Sequence, residues 1–170
     1  MNTSHTTRIL AIDPGFDRMG IAVIERGTQG DVLLYSTCAT TSAKLSFPER
    51  LKLLGDAVDH AVEEYTPEAL ALELLMFGKN QKTAARVSEV RGMLIYKGVS
   101  AGLPVHEYTP LQIKVAVSGY GKADKNQVAT MVATLIKLPK RKMLDDETDA
   151  IAIGLTFLAF AGWRSRSEGA

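Results

Sequence analysis

Cysteine and histidine are scarce in this chain, and each scarcity removes a class of function. Cys38 is the only cysteine among 170 residues, so no intrachain disulfide can form, and a reducing cytoplasm is the expected setting. The three histidines are His5, His60 and His106. They are too scattered for a histidine-based metal centre, and His60 and His106 read as structural or surface residues. No Ser/His/Asp or Cys/His arrangement offers an activated nucleophile, and neither a Walker loop nor a Gly-x-Gly-x-x-Gly fingerprint is present. Gly119-Tyr120-Gly121-Lys122 lacks phosphate-loop spacing and reads as a hinge. Every long apolar stretch is interrupted within about 18 residues, so no membrane span or signal core is expected. Net charge is only +1. That value neither requires nor excludes nucleic acid, because a compact acid cluster can cancel a basic surface in the total.

What is present is an ordinary globular composition, 46% apolar and 23% charged, at a length that fits one domain with a real core. Residues 1–8 read as a disordered polar tail, 9–162 as the domain, and 163–170 as a flexible C-terminal tail. Strands are predicted over 9–12, 20–25 and 32–40, with connections short enough for an antiparallel meander. A helix over 46–64 follows, with Leu51, Leu54, Val58 and Val62 as its buried stripe. Then come a strand around Glu73, a helix over 83–101, a strand over 105–108, a helical turn over 110–117, and helices over 125–136 and 146–160. The fold class is α/β: a mixed five-stranded sheet covered by helices.

Four carboxylates stand where such a fold has little structural use for them. Asp13 ends the apolar run Ile9-Leu10-Ala11-Ile12 and is followed by a Pro14-Gly15 turn. Glu73 sits within Ala69-Leu70-Ala71-Leu72-Glu73-Leu74-Leu75. Asp146 and Asp149, three apart on one side of a helix, precede an apolar stretch that must be buried. Burying a carboxylate costs several kcal/mol unless something compensates it. Anions gathered at one point raise one another's pKa and call for cations. All-oxygen ligands select Mg²⁺ or Mn²⁺ over Zn²⁺. Two such ions about 4 Å apart would suit phosphodiester hydrolysis. The competing reading is a capping cluster at a helix start, with Asp145 or Asp146 as the cap, and an edge-strand or paired Glu73.

Basic residues flank these acids in sequence. Lys79 and Lys82 follow the Glu73 strand, and Lys114, Lys122 and Lys125 surround the break at 118–121. Lys140, Arg141 and Lys142 lead into the acidic helix. Together they would let a phosphate backbone approach acids that otherwise repel it. Tyr120, Met76 and Phe77 offer stacking or apolar contacts to bases, with core packing as the alternative for Met76 and Phe77. The 83–101 helix carries Ala84, Val87, Val90 and Leu94, more apolar surface than one stripe needs. It is the candidate dimer element, with burial inside the monomer as the competing account.

The chain resembles the RuvC family of bacterial Holliday junction resolvases. The resemblance is carried by Ile12-Asp13-Pro14-Gly15, Leu72-Glu73 with Lys79-Asn80, and Ala85-Arg86 to Arg91-Gly92. It continues through Tyr108-Thr109-Pro110-Leu111-Gln112-Ile113-Lys114 and Val117-Ser118-Gly119-Tyr120-Gly121 with Lys125. Leu135-Ile136-Lys137-Leu138-Pro139 and Asp146-Glu147-Thr148-Asp149-Ala150-Ile151-Ala152-Ile153 complete it, in order, over residues 9–160. It implies an RNase H-like fold, a homodimer, and two divalent ions per subunit held by Asp13, Glu73, Asp146 and Asp149. It also implies paired symmetrical nicking of four-way DNA junctions in partnership with the RuvA–RuvB branch-migration complex. Lys114 and Lys125 fall where the family has catalytically important lysines. The family often has an aromatic residue three positions after the strand glutamate. Here that position is Met76, and the aromatic is Phe77.

Three other classes share parts of this pattern. An RNase H-like nuclease for another branched DNA or an RNA–DNA hybrid would use the same acids. An actin-like ATPase or sugar kinase also opens on an Asp-Gly strand turn but needs two lobes. A non-catalytic DNA-binding module would have no need of four converging acids.

Overall fold

The structure is a computed structural model that describes residues 7–75 and 81–167, with side chains described for all of these except 81–83 and 162–167. Three strands come first: β1 (Thr7–Asp13), β2 (Arg18–Gly27) and β3 (Gly30–Thr40). Helix α1 (Phe47–Tyr65) leads to β4 (Ala69–Glu73), and α2 (Gln81–Ser100) leads to β5 (Val105–Tyr108). Helices α3 (Pro110–Ser118), α4 (Lys125–Leu135) and α5 (Asp145–Ser167) close the chain.

The five strands form one mixed sheet in the order β3-β2-β1-β4-β5. The first three pair antiparallel through tight connections, whereas β4 joins β1, and β5 joins β4, in parallel after helical crossovers. β1 is therefore central. Ile9, Leu10, Ala11 and Ile12 have no exposure, which accounts for the unbroken apolar run.

Side-chain alternation divides the core in two. Leu10, Ile12, Ile21, Val23, Leu70 and Leu72 pack against α1 and α2 through Leu54, Val58, Val90 and Leu94. Ile9, Ala11, Ala22, Ala69 and Ala71 face α5, whose Ala150–Ile153 stretch is buried there together with parts of α3 and α4. This second face is lined with small residues, so α5 lies close to the sheet. A Cβ on Gly154 would sit 3.2 Å from Ala11 Cβ and 2.8 Å from Ile24 Cδ1. Asp13 continues the Ile9–Ala11 row and Glu73 the Ala69–Ala71 row, so both acids emerge on the α5 side.

Element ends differ from the sequence reading in places. β1 begins at Thr7 because Thr7 and Arg8 pair with Arg26 and Glu25, and the Arg8 guanidinium donates to Glu25 and to the Tyr65 carbonyl. Thr7 and Arg8 thus belong to the first strand. The helical turn at 110–117 is a full helix. Thr109 caps it, accepting from Gln112 N at 3.2 Å, Pro110 pre-sets the first turn, and Gly119 ends it at φ 71°. α5 continues through Ser167 instead of stopping at Phe160, as no proline interrupts the chain there.

Candidate active site

Parallel pairing of β1 with β4 runs from Ile9↔Ala69 to Ile12↔Leu72. The next residues on each strand are Asp13 and Glu73, so the register places the two acids side by side at one sheet end. The first turns of α5 bring Asp146 and Asp149 to the same end. The close approach depends on Gly20, the ladder partner of Asp13. A Cβ there would lie 1.8 Å from the Asp146 carbonyl oxygen. Only a glycine leaves room for the helix start beside Asp13.

The electrostatics record this convergence. Burial pushes the Asp13 carboxyl up to about 8, and the charges of Glu73, Asp149 and Asp146 push in the same direction, with Lys125 opposing them. Glu73 is also raised, by burial and then by Asp149. Burial raises Asp149 too, partly offset by the hydrogen bond and charge of Lys125. Lys125 Nζ lies 3.0 Å from Asp149 Oδ2 and 3.7 Å from Asp145 Oδ2. Burial alone would lower the Lys125 ammonium, but these acids hold it above its usual range.

Do these residues fit a hard divalent cation? Three observations say that they do. The donors are oxygens throughout, their mutual repulsion is only partly offset by Lys125 and Arg18, and one of them lacks a hydrogen-bond donor. Asp146 Oδ2 is buried and receives no hydrogen bond. Arg18 Nε lies 3.2 Å away. That contact meets an ion-pair distance but not hydrogen-bond geometry, so it neutralises the oxygen without saturating it. Among the described residues no three acid, histidine or cysteine side chains are gathered closely enough to enclose an ion. The cluster is convergent but open, and like charges gathered at one point favour such spacing.

A cavity of about 250 Å³ adjoins the acids, lined by Glu73 and Asp149, by Lys114 and Lys125, and on its apolar side by Ile113 and Val128. Anions and cations thus face one cleft large enough for a phosphodiester segment. Tyr120, Lys122, Lys140 and Lys142 are exposed or half-exposed. Met76, Phe77 and Lys79 lie outside the described residues, as does the side chain of Lys82.

Two points add to the sequence reading. Arg141 has partners within the protein. Its Nη2 donates to Glu147 Oε2 at 2.7 Å and to the Ser36 carbonyl at 2.8 Å. Glu147, only 4% exposed, also accepts from Ser36 Oγ at 3.1 Å and from the Leu144 backbone at 3.3 Å. Burial would raise this acid, but its donors hold it below the usual range. Of the acids opening α5, Glu147 is the structural one. The second point concerns α2. Val90 and Leu94 are spent on the monomer core, whereas Tyr96 and Val99 are 72% and 63% exposed. The outward face of this helix therefore starts from different residues than the apolar count suggested.

Sequence reading also missed Arg18, treated as part of a turn, and Arg50. The buried Arg50 donates to Thr41 Oγ1 at 2.8 Å and to the Phe16 carbonyl at 3.0 Å, pairs with Asp17, and stacks on the Phe16 ring. It pins the turn that follows Asp13. For Arg18, alternation counted back from Gly20 was the available signal. For Arg50 there was none, because its partners come from two other elements.

The family model for crossover junction endodeoxyribonuclease RuvC matches residues 9–157. The chain belongs to the RuvC family. A RuvC from Roseiflexus sp. is 47% identical over 151 residues, 88% of this chain and 89% of the relative. One from Brevibacillus brevis is 40% identical over 163 residues, covering 95% and 98%. A solved structure of Thermus thermophilus RuvC in complex with a Holliday junction substrate superposes with a TM-score of 0.84 at 31% identity, covering 91% of this chain and 94% of that one. The five-stranded mixed sheet with its helices is accordingly the RNase H-like fold of RuvC. The yeast mitochondrial resolvase Ydc2, 12% identical with a TM-score of 0.68, shares that fold.

Proposed function

We propose that this chain is a Mg²⁺-dependent crossover junction endodeoxyribonuclease that resolves four-way DNA junctions by paired symmetrical nicks in recombination and repair. The observation that carries the reading is the meeting of Asp13, Glu73, Asp146 and Asp149 at one sheet end, with Asp13 held near 8 by burial and by the other three. Two divalent ions, Mg²⁺ with Mn²⁺ able to substitute, would be held by these four residues. When bound, they supply activation of water and stabilisation of the leaving 3′-oxygen.

The chain's own residues do the rest. Lys125, already against Asp149, and Lys114 across the cavity place positive charge where a scissile phosphate gains negative charge. Ile113 and Val128 exclude water from one side of the cleft and so strengthen these interactions. Lys122, Lys140 and Lys142 extend the basic surface along the DNA backbone, Tyr120 offers a stacking surface, and Met76, Phe77, Lys79 and Lys82 are further candidate DNA contacts.

One domain of residues 9–162 carries one acid cluster, and two symmetric cuts call for two. A homodimer follows, with the outward face of α2 in its interface. The RuvA–RuvB branch-migration complex is the expected partner and the cytoplasm the expected site. Among the described residues no helix is long and apolar enough to cross a membrane. Cleavage of a mobile four-way junction, a linear duplex and an RNA–DNA hybrid in Mg²⁺ tests the proposal. The junction alone should be cut efficiently, at symmetric positions. Equal cutting of the hybrid would favour a different nuclease of this fold.

A further inference from the structure

Lys125 lines the cavity beside the acids, and Arg18 does not. Arg18 opens β2 two residues before Gly20, so alternation brings its side chain to the α5 face. There its Nε lies 3.2 Å from Asp146 Oδ2. The two side chains are unequal partners. Asp146 keeps 17% of its side-chain exposure and Arg18 keeps 52%. The carboxylate is held inside by the start of α5, while the guanidinium has water on one flank. Its geometry leaves Oδ2 without a hydrogen bond, and among the described contacts the other Arg18 nitrogens donate to no protein group. A planar fork of donors held at the rim of an acid cluster, and only loosely engaged there, matches a phosphate better than it matches its present partner.

We propose that Arg18 is an exchangeable counter-ion, paired with Asp146 in the ion-free protein and transferred to a DNA phosphate when a divalent cation takes that carboxylate. The inference rests on the nuclease reading, which assigns Asp146 to the cation. An arriving dication competes with Arg18 for the same oxygen and repels the guanidinium. The nearest new anion is then the backbone of the bound DNA. Each step replaces one opposite charge by another, so Asp146 is never left buried and uncompensated. Ion and DNA binding become mutually supportive. The ion frees the guanidinium for DNA, and DNA removes the ion's competitor, with equal coupling in both directions.

The test uses the full chain as wild type and as Arg18→Ala, Arg18→Gln and Arg18→Lys. Arg18→Gln keeps much of the length and the polarity, so it repeats the charge deletion with less disturbance of β2. Calorimetric titration of each protein with Mn²⁺ alone reads the competition. Four-way-junction binding in Ca²⁺ across a NaCl series reads the transfer. The neutral variants should bind Mn²⁺ about two- to fivefold more tightly than wild type. They should bind the junction more weakly, with the logarithmic salt slope reduced by about one. Arg18→Lys should stay near wild type in Mn²⁺ affinity and salt slope. Opposite signs for ion and DNA are the signature, because a structural role for Arg18 would weaken both. Weaker or unchanged Mn²⁺ binding in both neutral variants overturns the exchange. A wild-type chain that binds neither Mn²⁺ nor the junction instead rejects the nuclease reading itself.

Discussion

The carbonyl oxygen of Asp146 occupies the place where a side chain on Gly20 would begin, 1.8 Å from an ideal Cβ. Since Gly20 is also the ladder partner of Asp13, one missing methyl group sets the distance between the strand acid and the helix acids. Gly20→Ala should push the start of α5 away from β1. Cleavage should fall by about two orders of magnitude or more, as misplaced catalytic groups do, while stability drops by about 1–3 kcal/mol, the usual cost of overpacking. Junction affinity should stay within a few fold. Single-turnover cleavage, chemical denaturation and a binding isotherm on one variant separate the three effects.

Asp13→Asn should abolish junction cleavage and leave junction binding near wild type, because the carboxylate is assigned to the cations. It should also change how stability depends on pH without divalent ions. The folded Asp13 titrates near 8 against an ordinary value of 3.8. Between these values the folded chain holds a proton that the unfolded chain has released. The stability it contributes is therefore full below about pH 4 and is lost as pH rises through 8. In EDTA, the variant should gain on wild type as pH rises from about 4 to about 8, by on the order of 5 kcal/mol across that window. Parallel stability profiles for the two proteins would refute this account of the cluster.

Arg141 and its neighbours should behave differently. Removing Arg141 leaves the buried Glu147 without its main donor, so Arg141→Ala should destabilise the fold by about 1–3 kcal/mol. Lys140→Ala and Lys142→Ala should not change stability measurably. Each should lower the logarithmic salt slope of junction binding by about one if it meets a phosphate. Denaturant midpoints paired with salt-dependent binding distinguish the two kinds of basic residue.

The proposed dimer interface on the outward face of α2 would include the exposed Tyr96 and Val99. Replacing both by aspartate should yield a folded monomer at micromolar concentration in sedimentation, because neither side chain supports the monomer core. A mixed dimer with one Asp13→Asn subunit should nick a junction but rarely resolve it. Strand-specific mapping of the products tests that point. A monomer that cuts both strands as fast as the dimer would rule out the symmetric pair.

Much of this site is legible in the order of the residues. Local chemistry marks the five strands and the helices, and period-two alternation follows from the backbone itself. It puts Asp13 in the row of Ile9 and Ala11, and Glu73 in the row of Ala69 and Ala71. The three-residue spacing of Asp146 and Asp149 likewise assigns them one side of a helix. What local periodicity cannot carry is which partner a side chain finds across the fold. Glu147 lies between the two site acids in sequence, yet Ser36, 111 residues away, and Arg141 draw it into a clamp. The same long-range pairing ties Arg141 to Glu147 and brings Arg18 to Asp146. The apolar count on α2 likewise cannot say which residues the sheet claims. Ion pairs and buried faces depend on how elements dock, and docking is decided by shapes such as the gap at Gly20. Residue types and their order determined the fold and set the four acids on its elements; tertiary packing decided which charges meet at the sheet end and which pair within the frame.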